Sequence, residues 1–147
     1  MSHVRQQIRE RVAADLTGLT TTGSNVFQSR VYPMEGAGLP GLIVYTNSEA
    51  VDLEGTSSGR HLVRVLDVVV EGYAKATSNV DDTVDTIAAE VETAIANDSD
   101  LNALAKDSIL ATTEVELSGD AEKPIAVVRM TFTVVYVTAD NAPQTAL

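Results

Sequence analysis

The sequence predicts an α+β fold: a mostly antiparallel or mixed β-sheet with two main helices packed on one face. Three observations carry that prediction. Two stretches repeat apolar residues at helical spacing: Val4, Ile8, Val12 and Leu16, then Val80, Val84, Ile87, Val91 and Ile95. Two long stretches, 61–74 and 125–138, alternate with the period of a strand. The turn-rich segment "SGDAEKP" joins the last two strand-like stretches, so a hairpin is the natural pairing. Helices and strands that are grouped, rather than strictly alternating, favour α+β over a doubly wound parallel sheet.

The elements follow in order. Residues 3–17 read as a helix, with Arg5, Arg9 and Arg11 off the apolar stripe and Gly18 as its stop. "VFQSRVYP" (26–33) reads as a short strand ended by Pro33 or placed at an edge. "EGAGLPG" is a loop, and 42–49 forms a second strand. "DLEGTSSGR" is polar and rich in Gly and Ser, which predicts a mobile loop or long hairpin turn. In 61–74, Leu62, Leu66, Val68 and Val70 share one face, while Val63, Val65, Val69 and Tyr73 share the other. Residues 79–97 are the second helix, capped by Ser78 or Asn79, with Asp81, Asp82 and Asp85 near its positive end. "DSDLNALA" (98–105) reads as a further short helical turn with Leu101 and Leu104 inward. Strands at about 109–117 and 125–138 close the chain; in the last, Val128, Met130, Phe132, Val134 and Tyr136 share a face. The expected organisation is one domain over 1–138 and a tail, 139–147, that is flexible or ordered by a partner. Both faces of the long strands are apolar, so one face closes under the helices and the other calls for a second layer or a partner.

Composition narrows the function classes. The 147 residues contain no cysteine, which excludes disulfides, thiolate metal sites and cysteine nucleophiles. The net charge of −11 argues against general nucleic-acid binding and against an anionic membrane surface. No apolar run reaches transmembrane length, and the start lacks the apolar block of a signal peptide, so a cytoplasmic, soluble protein is expected. Charge is uneven: residues 1–64 balance six basic against six acidic groups, whereas 65–147 carry four basic and fifteen acidic. An assembling protein can use such a difference between faces for orientation.

A search for catalytic chemistry finds little. His3 and His61 are far apart and match no metal-ligand spacing. "GAGLPG" lacks the dinucleotide and Walker patterns. "GTSSG" formally matches a nucleophile elbow at Ser57, but a strand follows where a helix is required. Asp81, Asp82 and Asp85 are explained by capping and the helix dipole; Glu114 and Glu116 share one strand face and Asp120 and Glu122 sit in the hairpin loop, a pattern open to a calcium or carboxylate-catalysis reading but not specific for one. Seven of the ten basic residues are arginine, the residue suited to meeting carboxylates across an interface. No enzyme activity, cofactor or metal is expected.

The layout resembles the tail terminator proteins of long-tailed bacteriophages, the minor tail protein U type. The resembling pieces are the helix "VRQQIRERVAADL", the pair "NVFQSRVYP" and "LPGLIVYTNSE", the strand "GRHLVRVLDVVVEGYAKA", the helix "VDDTVDTIAAEVETAIANDSDLNAL" and the strand "VVRMTFTVVYVT". They span nearly the whole chain. The resemblance implies a non-enzymatic virion component, located in the tail and assembled in the host cytoplasm. It implies a homo-oligomer, a hexameric ring that caps the tail tube, stops its polymerisation and provides the head-joining surface. Its partners would be the tail tube protein and a head-closure or neck protein. The loop at about 50–60 would be a subunit or tube contact. DNA would pass through the lumen without sequence-specific binding, past an acidic wall that repels it.

A ring needs two unlike surfaces on each subunit. The apolar residues Val65, Val69, Val127 and Val135 are the interface candidates on the outer sheet face, and Arg5, Arg9, Arg64 and Arg129 are expected to meet carboxylates on a neighbouring subunit or tail protein. The alternatives are another head–tail neck or tail tube subunit, a small carboxylate-dependent hydrolase, and a plain binding adaptor.

Overall fold

The first apolar stripe forms α1, Val4–Leu16, with Val4, Ile8, Val12 and Leu16 buried. His3 caps it, its Nδ1 accepting from the Arg5 backbone N–H at 3.0 Å. The helix stops where Gly18 takes a φ of 93°, a conformation that costs glycine little. The computed structural model describes residues 2–28, 30, 39–55, 59–76, 79–118 and 125–147. Ser57, Ser78, Asp120, Glu122 and, in the 26–33 stretch read as a strand, Ser29 and residues 31–33 lie outside them.

Six strands form one sheet. β1 is only Val26–Phe27 and runs parallel to β2, Gly41–Glu54, with Val26 opposite Leu42. β2 pairs antiparallel with β3, His61–Lys75, from Gly41 opposite Tyr73 to Glu54 opposite His61. The stretch 50–54, expected in a loop, thus continues the strand; Val51, Asp52, Leu53 and Glu54 alternate as a strand should. β3 pairs along its whole length with β5, Ile125–Ala139, and β5 pairs on its other side with β4, Asp107–Ser118. The order is β1-β2-β3-β5-β4.

Both helices pack on one face, as predicted. α2 spans Val80–Ala96 and buries Val84, Ile87, Ala88, Val91 and Ile95. They meet the α1 stripe and the even-numbered residues Leu66, Val68, Val70, Val128, Met130, Phe132, Val134 and Tyr136 in one core. Gly72 lies under α2; a β-carbon there would stand 2.6 Å from Ile87 Cγ2, so glycine sets how closely helix and sheet approach.

Three expectations are corrected. Residues 98–105 do not form a helical turn of the usual hand. Leu101, Asn102 and Ala103 take φ values of 50°, 57° and 68°, and the Asn102 N–H is held by Asp98 Oδ1. Burial of Leu101, fully enclosed in the core, accompanies the conformation. The tail forms β6, Ala142–Ala146, antiparallel to β5. Its ties are within the chain: Leu147 N–H donates to the Val137 carbonyl, and Gln7 Nε2 donates to the Gln144 carbonyl. The second sheet face is closed in part by the chain itself, where Ile43, Tyr73, Ile125 and Val127 cluster with Phe27, Leu39 and Tyr45.

Candidate interaction surface

The arginines are positioned by distant segments. At the α1 end of the sheet, Glu49 is the hub: Arg5 Nη1 donates to its Oε2 at 3.1 Å, Arg64 Nη1 at 3.0 Å, and the Tyr136 hydroxyl donates to Oε1. Arg64 Nε also donates to Thr138 Oγ1 at 3.2 Å. Burial first, then the Glu49 bond, pushes the Tyr136 hydroxyl pKa up. Burial and the Arg5 charge lower that of His3.

On the helix-free face the register builds a second cluster. Glu71 lies opposite Arg129 across β3 and β5, and Arg129 opposite Glu114 across β5 and β4. The Arg129 guanidinium reaches Glu71 at 3.1 Å, Glu114 at 3.2 Å and Glu116 at 2.9 Å. One cation therefore serves three carboxylates. Burial and the Glu71 carboxylate together raise the Tyr45 pKa.

A third cluster joins α1 to the turn after α2. Arg11 Nε lies 3.3 Å from Asp15 and 2.9 Å from Asp98. Burial, then the hydrogen bond with Asp98, pushes Asp15 up to about 7, while the bond with Asp15 holds Asp98 low. This is a carboxyl pair with separated proton affinities. Neither carboxyl lines the shallow groove between Gly18–Thr20 and Ala89–Asn97, or the groove described next.

Arg9 and Arg30 differ from the other arginines. Arg60 pairs with Asp140, and Arg5, Arg11, Arg64 and Arg129 have the partners above. Among the described residues, Arg9 and Arg30 have no carboxylate. Arg9 Nε donates to Gln28 Oε1 at 3.0 Å. Arg30 donates to the Thr46 carbonyl and stands 4.5 Å above the Tyr45 ring. Together with Gln28, Val44, Tyr45 and Thr46 they line a groove of about 290 Å³ at the β1–β2 margin.

The residues singled out from sequence therefore separate. Arg5, Arg64 and Arg129 find carboxylates inside their own chain, at separations too long to read from sequence. Val69 and Val127 are 3% and 0% exposed, so the chain itself covers them and they are not surface groups. Val65 and Val135 are register partners, half-buried on the helix-free face. Sequence reading missed Arg30 and the exposed apolar residues Val51, Leu53, Ile109, Val115 and Leu117. The signal for Val51, Leu53, Val115 and Leu117 is present as acid–apolar alternation in "VDLE" and "EVEL". Among the described residues no strand pairs with the outer edge of β4, or with the outer edge of β2 beyond Ile43.

No protein-family model matches the chain, and no curated protein matches it. Among solved structures it is similar to a chain in "Virion of native gene transfer agent (GTA) particle", with 18% identity and a TM-score of 0.41 over 90% of this chain and 92% of that one.

Proposed function

We propose that the chain is a non-enzymatic structural subunit of a phage-like virion, a tail terminator that closes into a ring on the tail tube, stops its growth and presents the head-joining surface. The observation that carries this reading is the pair of unlike, open sheet margins. One margin holds two arginines without carboxylate partners among the described residues; the other holds surplus carboxylates beside exposed Val115 and Leu117. Unlike margins favour a head-to-tail contact, which closes into a ring when the rotation per copy is right. The element order, which resembles that of tail terminators, supports the same reading.

Negative-stain imaging tests it. Purified protein alone, and mixed with polymerising tail tubes, is expected to give closed rings and tubes of limited length with one ring at the end. Long stacks of the protein itself would make it a tube subunit instead. Tubes that grow unchecked and unbound in its presence would overturn the terminator role.

A further inference from the structure

We infer that the groove between Arg9 and Arg30 takes the Glu114 and Glu116 carboxylates of a second copy. The inference deepens the ring reading and rests on it. Three observations on the chain lead to this partner.

The charges match in number. Arg129 neutralises one of the three carboxylates it touches, which leaves this cluster two negative charges among the described residues. The β1–β2 margin holds two guanidinium groups with no carboxylate among the described residues.

Both sides are accessible. The Glu114 and Glu116 side chains are 68% and 51% exposed even while bound to Arg129. Arg30 is exposed and Arg9 half-buried, with the Tyr45 ring between strand edge and guanidinium.

The heights agree. Ile43, Glu71, Arg129 and Glu114 occupy one register row across the sheet, and Tyr45, Val69, Thr131 and Thr112 the next. On opposite margins, Glu114 thus stands one row from the Tyr45 level of the groove, and Glu116, in the row of Val127, Tyr73 and Gly41, stands one row further. A second copy set beside the first across the sheet, and turned about an axis along the strands, brings the one to the other. The contact is heterologous, each copy giving its acidic margin and receiving at its basic one. A bidentate guanidinium–carboxylate fork fixes that orientation.

Charge reversal tests the pairing by sedimentation velocity at low salt, with far-UV circular dichroism to verify folding. Arg9→Glu with Arg30→Glu, and separately Glu114→Arg with Glu116→Arg, are each expected to weaken self-association by about tenfold or more. All four changes in one chain are expected to restore it to within about threefold of the parent. The neutral variants Arg30→Ala and Glu116→Gln serve if a reversal does not fold; each is expected to weaken association and steepen its loss with salt. A parent that assembles while Arg9→Glu/Arg30→Glu assembles equally well overturns the groove and leaves the ring reading standing. Loss with either pair and no recovery in the fourfold variant overturns the Glu114–Glu116 assignment. A parent still monomeric at about 1 mM removes the self-assembly reading and the groove with it.

Discussion

Replacing Gly72 by alanine introduces a methyl group 2.6 Å from Ile87 Cγ2, 3.1 Å from Val128 Cγ1 and 3.4 Å from Leu42 Cδ2. Carbon atoms rest at about 3.5–4.0 Å, so roughly 1 Å must be recovered against Ile87. None of the three neighbours can swing into solvent, since Ile87 is 1% exposed and Val128 and Leu42 are 0%. Overpacking of this kind costs about 1–3 kcal/mol. Restricting the unfolded chain returns about 0.4–1 kcal/mol, leaving a net loss of about 1–2 kcal/mol. For a chain of this length that corresponds to a fall in Tm of about 2–8 °C. Urea titration followed by far-UV circular dichroism measures it, with the m-value unchanged. Ile87→Ala alone costs about 2–5 kcal/mol. In the double variant the new methyl enters the vacated space, so the two losses sum to about 1 kcal/mol less than additivity. A Gly72→Ala protein as stable as the parent, or strict additivity in the double variant, would refute the reasoning.

Three further outcomes are expected. Asp15 keeps its proton up to about pH 7 when folded but loses it near 3.8 when unfolded, so its contribution to stability is full below pH 4 and falls away as pH rises to about 7. Asp15→Asn is therefore expected to match the parent near pH 4 and exceed it by about 1–2 kcal/mol at pH 8; parallel stability curves across that range would contradict this. Glu49→Gln strips the counter-charge from Arg64, whose side chain is only 10% exposed, and is expected to cost about 3 kcal/mol in thermal melts; a change below about 1 kcal/mol would sink the hub assignment. Removing residues 142–147 takes away the Gln144 carbonyl that Gln7 uses, and Ala146 from beside the core. Amide exchange in the first turns of α1 should then quicken selectively over α2, and uniform quickening would count against a local role.

The legible parts of the fold were those where one local period decides the answer. α1, α2, β3 and β5 each repeat it for several turns or pleats, and the even-numbered residues of β3 and β5 do face the helices. The reading failed where tertiary forces override local preference. "DLNAL" contains good helix formers, yet Leu101–Ala103 take the left-handed conformation that accompanies Leu101 burial and the Asp98 bond. "APQTA" shows no alternation because β6 is a short edge strand tied by backbone bonds. Arginine is suited to meeting carboxylates, but apart from Asp15, four residues from Arg11, the internal partners lie 13 to 87 residues away, so sequence cannot tell an internal partner from an external one. Burial of Val127 was illegible for a related reason: Ile43 and Tyr73, with which it clusters, and Phe27, Leu39 and Tyr45 beside them come from distant parts of the chain.

The shared register rows have a mechanical consequence. If neighbouring copies pull on one another through the two margins, the tension crosses β2, β3, β5 and β4 along their hydrogen bonds, entering near Glu71 and Val69, close to the midpoint of β3. In the β3–β5 ladder such a load has bonds on both sides, whereas in the β2–β3 ladder it enters close to the Gly41 end. Arg9 carries its share of the load through α1, and Arg30, which follows the short β1 strand, is tied directly to β2 by its bond to the Thr46 carbonyl.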